Sequence, residues 1–235
     1  MTVTTSAPKS QRARTATANS ITDDLSRAIH EHRLAPGTKL GENDLSEIYG
    51  VSRAIVRTAL QSLAHHQIVE IQRNRGAFVA QPTSTEAHEV FEARELLEPR
   101  TAHAAALKAQ QSDITLLTSH ISQEHAALDA GDRGRALYLS GQFHLEIARI
   151  ADNKTITDMV KVLVARSSLI IALYWQRESA ICESKAHHAL IEAIAKGDAD
   201  RSQELMQSHL VDLHSALNLH KMPAAVNNLK QILMG

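Results

Sequence analysis

Between Tyr49 and Leu63 the chain reads YGVSRAIVRTALQSL, and this stretch allows few local structures. Gly50 can enter positive φ without steric cost, so it suits a tight turn between two helices. Ser52 stands where a helix begins, and its hydroxyl is expected to cap an orphan backbone N–H there. Arg53 and Arg57 then fall one turn apart on one helix face. An arginine pair at the start of a helix that follows a glycine turn suits entry into the DNA major groove. Arginine is the commonest reader of guanine edges there.

The flanks extend this unit on both sides. Ile21, Leu25, Ile29 and Leu34 recur at helical spacing, which predicts a helix over residues 19–33 that ends at Ala35-Pro36-Gly37. A short second helix is expected over Glu42–Tyr49. After the arginine-bearing helix, Ile68-Val69-Glu70-Ile71 and Ala77-Phe78-Val79-Ala80 read as two strands. Arg73-Asn74-Arg75-Gly76 forms the turn between them. Three helices and a hairpin describe a winged helix-turn-helix, with Arg73, Arg75 and Gly76 at the wing tip, placed against phosphates or the minor groove.

Several of these stretches match one family in order and spacing. HEHRLAPGTKL, DLSEIYGVSRAIVRTALQSLAHHQIVEIQ and RNRGAFVA make residues 21–80 resemble the DNA-binding domain of the GntR family of bacterial transcription regulators. The resemblance implies that Ser52, Arg53 and Arg57 meet DNA and that the wing around Arg75-Gly76 touches a groove. Some relatives carry an arginine where this chain has Asn43, and their preceding loop is one residue longer.

Charge separates the head from the rest. Residues 1–80 hold 10 Lys/Arg and 7 Asp/Glu, whereas residues 81–235 hold 15 and 19. A mildly basic head on an acidic body fits DNA contact through the first part alone. The single cysteine, Cys182, excludes an internal disulfide, suits a reducing cytoplasm and reads as a small buried hydrophobe. No run of about 18 apolar residues is present, so no membrane span is expected.

Residues 1–18 are rich in Thr, Ser and Ala and read as a disordered tail before the head at 19–81. Gln81 to Thr85 is a polar link. Beyond it the pattern is helical throughout, with helices expected at 84–109, 113–130, 132–151, 154–177, 180–196 and 198–220. They form a second domain over 86–220, an all-α bundle, with 221–235 as a peripheral tail. The fold class expected is therefore mainly α.

Of fourteen histidines, three share apolar stripes on different helices. His144 lies with Leu137, Ser140 and Ile147, His187 with Ile191 and Ile194, and His209 with Met206 and Leu213. Each alone reads as a hydrogen-bonded core histidine; three that converge could bind a divalent metal. FEARELLEPRTAHAAA, Phe143-His144, His187 with HALIEAIAKGDAD, and MQSHL make residues 86–220 resemble the effector-binding helical domain of the FadR subgroup within that family. Its metal-binding members set an Asp one turn before the first histidine, with three histidines around the ion. The three histidines here match, but the Asp position is Ser140. A neutral hydroxyl leaves three imidazoles without a protein anion, so Zn or Ni would be held more weakly, with water or an effector carboxylate completing the shell.

Arg94 offers a guanidinium fork for an effector carboxylate, or for Glu98 one turn on. Asn153 suits either a pocket role or a helix N-cap. The expectation is a non-enzymatic, cytoplasmic homodimer, a repressor. It would bind a double-stranded DNA operator and respond to a small organic acid in a metal-assisted pocket. A metal ion acting itself as the signal is the alternative. A three-histidine metalloenzyme is disfavoured, because no HExxH and no glutamate spaced to activate water are present.

Overall fold

A computed structural model describes residues 16–175 and 181–220, with side chains from 185 onward in the second stretch. The readings made for most of the N-terminal tail, for Cys182 as a buried side chain and for the segment after Lys221 lie outside the described residues. The head is built from α1 (Ala18–His30), β1 (Lys39–Leu40), α2 (Glu42–Tyr49), α3 (Arg53–His65), β2 (Val69–Gln72) and β3 (Gly76–Val79). The helical body follows as α4 (Ser84–Lys108), α5 (Gln111–Asp129), α6 (Arg133–Ile150), α7 (Lys154–Tyr174), α8 (Ile181–Ala195) and α9 (Ala199–Ser215).

Helix α1 buries Ile21, Leu25 and Ile29 against Leu45, Val56, Leu60 and Leu63. It stops three residues before the expected end. His32 adopts φ 55°, and the Leu34 N–H turns back to the Ala28 carbonyl, so the stop comes from a left-handed residue rather than from Pro36. Helix α2 ends on Gly50 at φ 62° and ψ 35°, with its N–H donated to the Ser46 carbonyl. An added Cβ at Gly50 would meet nothing within 4 Å, so the backbone dihedral alone is the reason for glycine.

The wing is an antiparallel hairpin in register Val69↔Val79 to Gln72↔Gly76. Strand β1 was not anticipated from sequence. It pairs Lys39 with Phe78 and Leu40 with Ala77, giving the sheet order β1-β3-β2. Its two residues are too few to show an alternating pattern, and the partner strand rather than local propensity defines it.

In the body, α4 is the long central helix. It packs with α6, α7, α8 and α9 around Phe91, Phe143, Ile147, Ile170, Met206 and Leu210. The expected break at Ser112-Asp113 falls earlier. Helix α5 begins at Gln111, and the Asp113 carboxylate accepts from the Gln110 N–H at 3.0 Å, capping the helix from inside it. Among the described residues no helix is long and apolar enough to cross a membrane.

Head and body meet along α1. Ala165 and Leu169 of α7 belong to the same apolar core as Ile21 and Leu25. The His32 Nε2–H donates to the Ser168 carbonyl at 2.9 Å. At the start of α6, an added Cβ on Gly134 would lie 2.0 Å from the Glu31 carbonyl oxygen. Gly134→Ala is therefore expected to push α1 from α6 and to destabilise the chain by about 1–3 kcal/mol. Chemical denaturation would test this, and an unchanged midpoint would show that the seam yields freely.

Candidate nucleic-acid interface and metal centre

Helix α3 exposes Arg53 and Arg57, whose side chains remain 60% and 55% accessible. Both reach Glu42 on α2. Arg53 Nη2 donates to its Oε2 at 3.1 Å, while Arg57 donates through Nε to Oε1 at 3.0 Å and through Nη2 to Oε2 at 2.8 Å. The Arg57 hydrogen bond, with help from Arg53, holds the Glu42 carboxyl down to about 2. One carboxylate thus gathers two guanidinium groups on the outer face of the helix-turn-helix. Ser52 occupies the N-cap position at φ −69° and ψ 153°, but its hydroxyl makes no capping hydrogen bond, contrary to expectation. Arg73 and Arg75 are exposed at the wing tip, where Asn74 and Gly76 take φ 61° and 101°. The Arg75 guanidinium sits 5.5 Å from the Phe78 ring centroid.

His144 of α6, His187 of α8 and His209 of α9 come together in the body, all buried, with one ligand nitrogen from each within 4.8 Å of the others. His209 Nε2 lies 3.3 Å from the Nε2 of His187 and 3.3 Å from that of His144. Two carboxylates stand behind the imidazoles. Glu98 Oε2 lies 2.6 Å from His144 Nδ1, and Glu124 Oε2 lies 3.4 Å from His187 Nδ1. The carboxylate accepts, so Nδ1 of His144 carries the proton and its Nε2 turns a lone pair inward. His187 Nδ1 and Glu124 Oε2 are buried without a hydrogen-bond partner, and a small approach would pair them. Three clustered imidazole nitrogens, two of the rings backed by carboxylates, fit a divalent cation such as Zn or Ni, which takes three imidazoles and keeps a further position open.

Arg94 and Glu98 form a buried pair on α4. Arg94 donates to Glu98 through Nε and through Nη2 (3.2 Å), and through Nη1 to Ser167 Oγ at 3.0 Å. Burial alone would raise the Glu98 carboxyl, but Arg94 and His144 together hold it at about 2. Two of the five N–H donors of Arg94 remain for another partner. A cavity of about 390 Å³ is lined by Arg94, Ser140, His144 and Ser167. Asn153 lies elsewhere. It is exposed, and its side chain accepts from the Ile156 N–H as the cap of α7. The cap explains that residue without a ligand, and the pocket role expected for it is not seen.

Two family models divide the chain. Residues 17–79 match the bacterial regulatory proteins of the gntR family, and residues 89–212 match the FCD domain. The Uxu operon regulator of Haemophilus influenzae is 30% identical over 206 residues, covering 80% of this chain and 75% of its own. The chain belongs to the GntR family. The HTH-type transcriptional repressor RspR of Escherichia coli is 25% identical over 194 residues, covering 82% of this chain and 85% of its own. A GntR transcriptional regulator from Rhodococcus sp. RHA1 has the same fold, with TM-score 0.75 and 20% identity over 84% of this chain and 95% of that one.

As a GntR-family transcription regulator with an FCD domain, the protein binds operator DNA through its head and a small-molecule effector through its body. Sequence reasoning missed Glu42, Glu124 and the link from Glu98 to His144. The stripe Phe91, Arg94, Glu98, Ala102 and Ala105 follows helical spacing and could have revealed Glu98 as inward-facing.

Burial holds His144 and His209 below the usual imidazole value, and His187 and His144 press His209 further down. An unfolded imidazole takes its proton near pH ~6.5, the folded ones only at lower pH. Between those values the unfolded chain binds more protons, so stability is present above about pH 6.5 and falls as the pH drops. The Tm of metal-free protein is expected to decline between about pH 7.5 and about pH 5.5, and His209→Gln to flatten the slope. Melting curves across that range would show it, and a wild-type Tm independent of pH would contradict it.

Proposed function

We propose that this regulator is a homodimeric repressor whose two winged helices read a short pseudo-palindrome. Arg53 and Arg57 enter the major groove beside Ser52, and Arg73, Arg75 and Gly76 of the wing lie against phosphates or the minor groove. A small organic acid in the body controls operator affinity. A divalent metal on His144, His187 and His209 assists that binding, with Arg94 and Ser140 beside the acid. Symmetry supports the dimer, since two identical heads match two half-sites. The repressor reading draws on the printed name of the Escherichia coli relative.

The observation that carries the effector reading is the three-imidazole cluster, one member of which, His144, lines a cavity with Arg94 in its wall. A bound cation supplies a Lewis-acid anchor for a carboxylate. The protein supplies the rest: Glu98 holds His144 in the tautomer that faces inward, and Arg94 keeps two N–H donors for an anion. Ser140 adds no charge, so an incoming carboxylate meets no anion on that side. The cavity also favours this reading over a metal acting alone as the signal, which would need no such space.

Arg53→Ala and Arg57→Ala are each expected to weaken a selected operator by about tenfold or more, with little change on random DNA. Fluorescence anisotropy on both DNAs measures this, and undiminished specific affinity would refute the reading helix. Purified His144→Ala should carry much less metal than the wild type by elemental analysis. Equal metal in the two proteins would remove the ligand assignment. If a chelator alone changed operator affinity and no organic acid did, the ion itself would be the signal.

A further inference from the structure

The cavity beside the imidazoles does not end within the body. Its wall continues into the head through Ser26, Arg27 and His30 of α1 and through His66 after α3, with Lys161 of α7 facing them. A volume of about 390 Å³ lies in the range that takes a small organic molecule, well beyond an ion and its water. The head and the body therefore share one pocket.

The chemistry of the far end differs from that of the histidine end. Arg27 and Lys161 are exposed at its margin, and among the described residues neither has an ion-pair partner. Asp23 is the one acid in the wall. Lys161 lies close enough to His66 to add to the lowering that burial imposes on that imidazole, and the two cations outnumber the one acid. His30 donates its Nδ1–H to the Ser26 carbonyl, which leaves its Nε2 to accept from a hydroxyl. The wall thus offers two cations for an anion and, on α1 with Arg27, a neutral acceptor.

We propose that the effector is a hydroxylated acid with a second anionic group, bound in the seam between Arg27 and Lys161. This rests on the reading above, in which the first carboxylate lies at the histidine end. One molecule then touches α1 of the head and α6 and α7 of the body, and it fixes their relative placement directly. A monoacid fills only the body end and leaves the head uncontacted.

The test uses full-length protein loaded with Zn²⁺ and titrated calorimetrically with two matched pairs. These are 2-hydroxyglutarate against 2-hydroxypentanoate, and 2-hydroxyadipate against 2-hydroxyhexanoate. Each pair shares a carbon chain and a hydroxy-acid end, and differs only at the far terminus. In at least one pair the diacid is expected to bind about tenfold tighter, as one charge-assisted contact provides. Arg27→Ala and Lys161→Ala should each remove most of that advantage while leaving monoacid affinity and zinc content unchanged. The diacid alone should also slow amide exchange in α1. Equal affinities within both pairs, or an advantage that survives in the Arg27→Ala, Lys161→Ala double variant, would overturn the second subsite while leaving the first intact. Binding of none of the four acids, or binding indifferent to chelator, would overturn the histidine-end reading and this inference together.

Discussion

The Glu98 carboxylate is fully buried, and a lone charge there would be intolerable. It stays ionised because Arg94 and His144 both donate to it, and Arg94 in turn is held by Ser167. Those four side chains belong to α4, α6 and α7, so one polar knot ties three helices of the bundle together. Removing one partner of such a pair strands the other in the apolar interior, at about 3–5 kcal/mol. The knot also decides a chemical state, since it fixes which nitrogen of His144 carries the proton. Stability and ligand geometry therefore rest on the same carboxylate.

The head shows the same device in solvent. Glu42 collects Arg53 and Arg57, but all three side chains are accessible, so water and salt weaken the bonds. The arrangement costs little to undo, which suits the proposed exchange of one anion for the edges of guanine or a phosphate. Its value lies in ordering two long side chains beforehand, since each loses rotamer freedom on docking. A buried knot would be too firm for that exchange, and free arginines would be less ordered.

Most of the architecture was legible because it follows from short-range rules. Gly50, the apolar spacing of Ile21, Leu25 and Ile29, and the turn at Arg73 to Gly76 each specify their element locally. The elements that escaped are defined by partners remote in sequence. β1 exists because β3 lies beside it, and the end of α1 is set by His32 rather than by the nearby proline. The three histidines could be read from apolar stripes, whereas Glu124 resembles a solvated helix acid until its neighbours are known, and the link from Glu98 to His144 joins residues remote in sequence. For Asn153 the sequence left two readings open, a cap and a pocket residue, and the Ile156 N–H claims its side chain for the cap.

Control of DNA binding by a ligand in the body requires that the ligand favour one head placement over another. A 10- to 100-fold change in operator affinity corresponds to about 1.4–2.8 kcal/mol of coupling. Head and body already share apolar packing through Ala165 and Leu169 and a hydrogen bond from His32 to Ser168, so the seam is held but not sealed. Its wall carries Arg27 on one side and Lys161 on the other. One charge-assisted hydrogen bond is worth about 1.5–3 kcal/mol, which already covers the coupling needed. A ligand bound wholly within the bundle would have to send that energy through repacked helices. In the proposed mode a ligand that reaches α1 delivers it by contact, with its other end held at the three imidazoles.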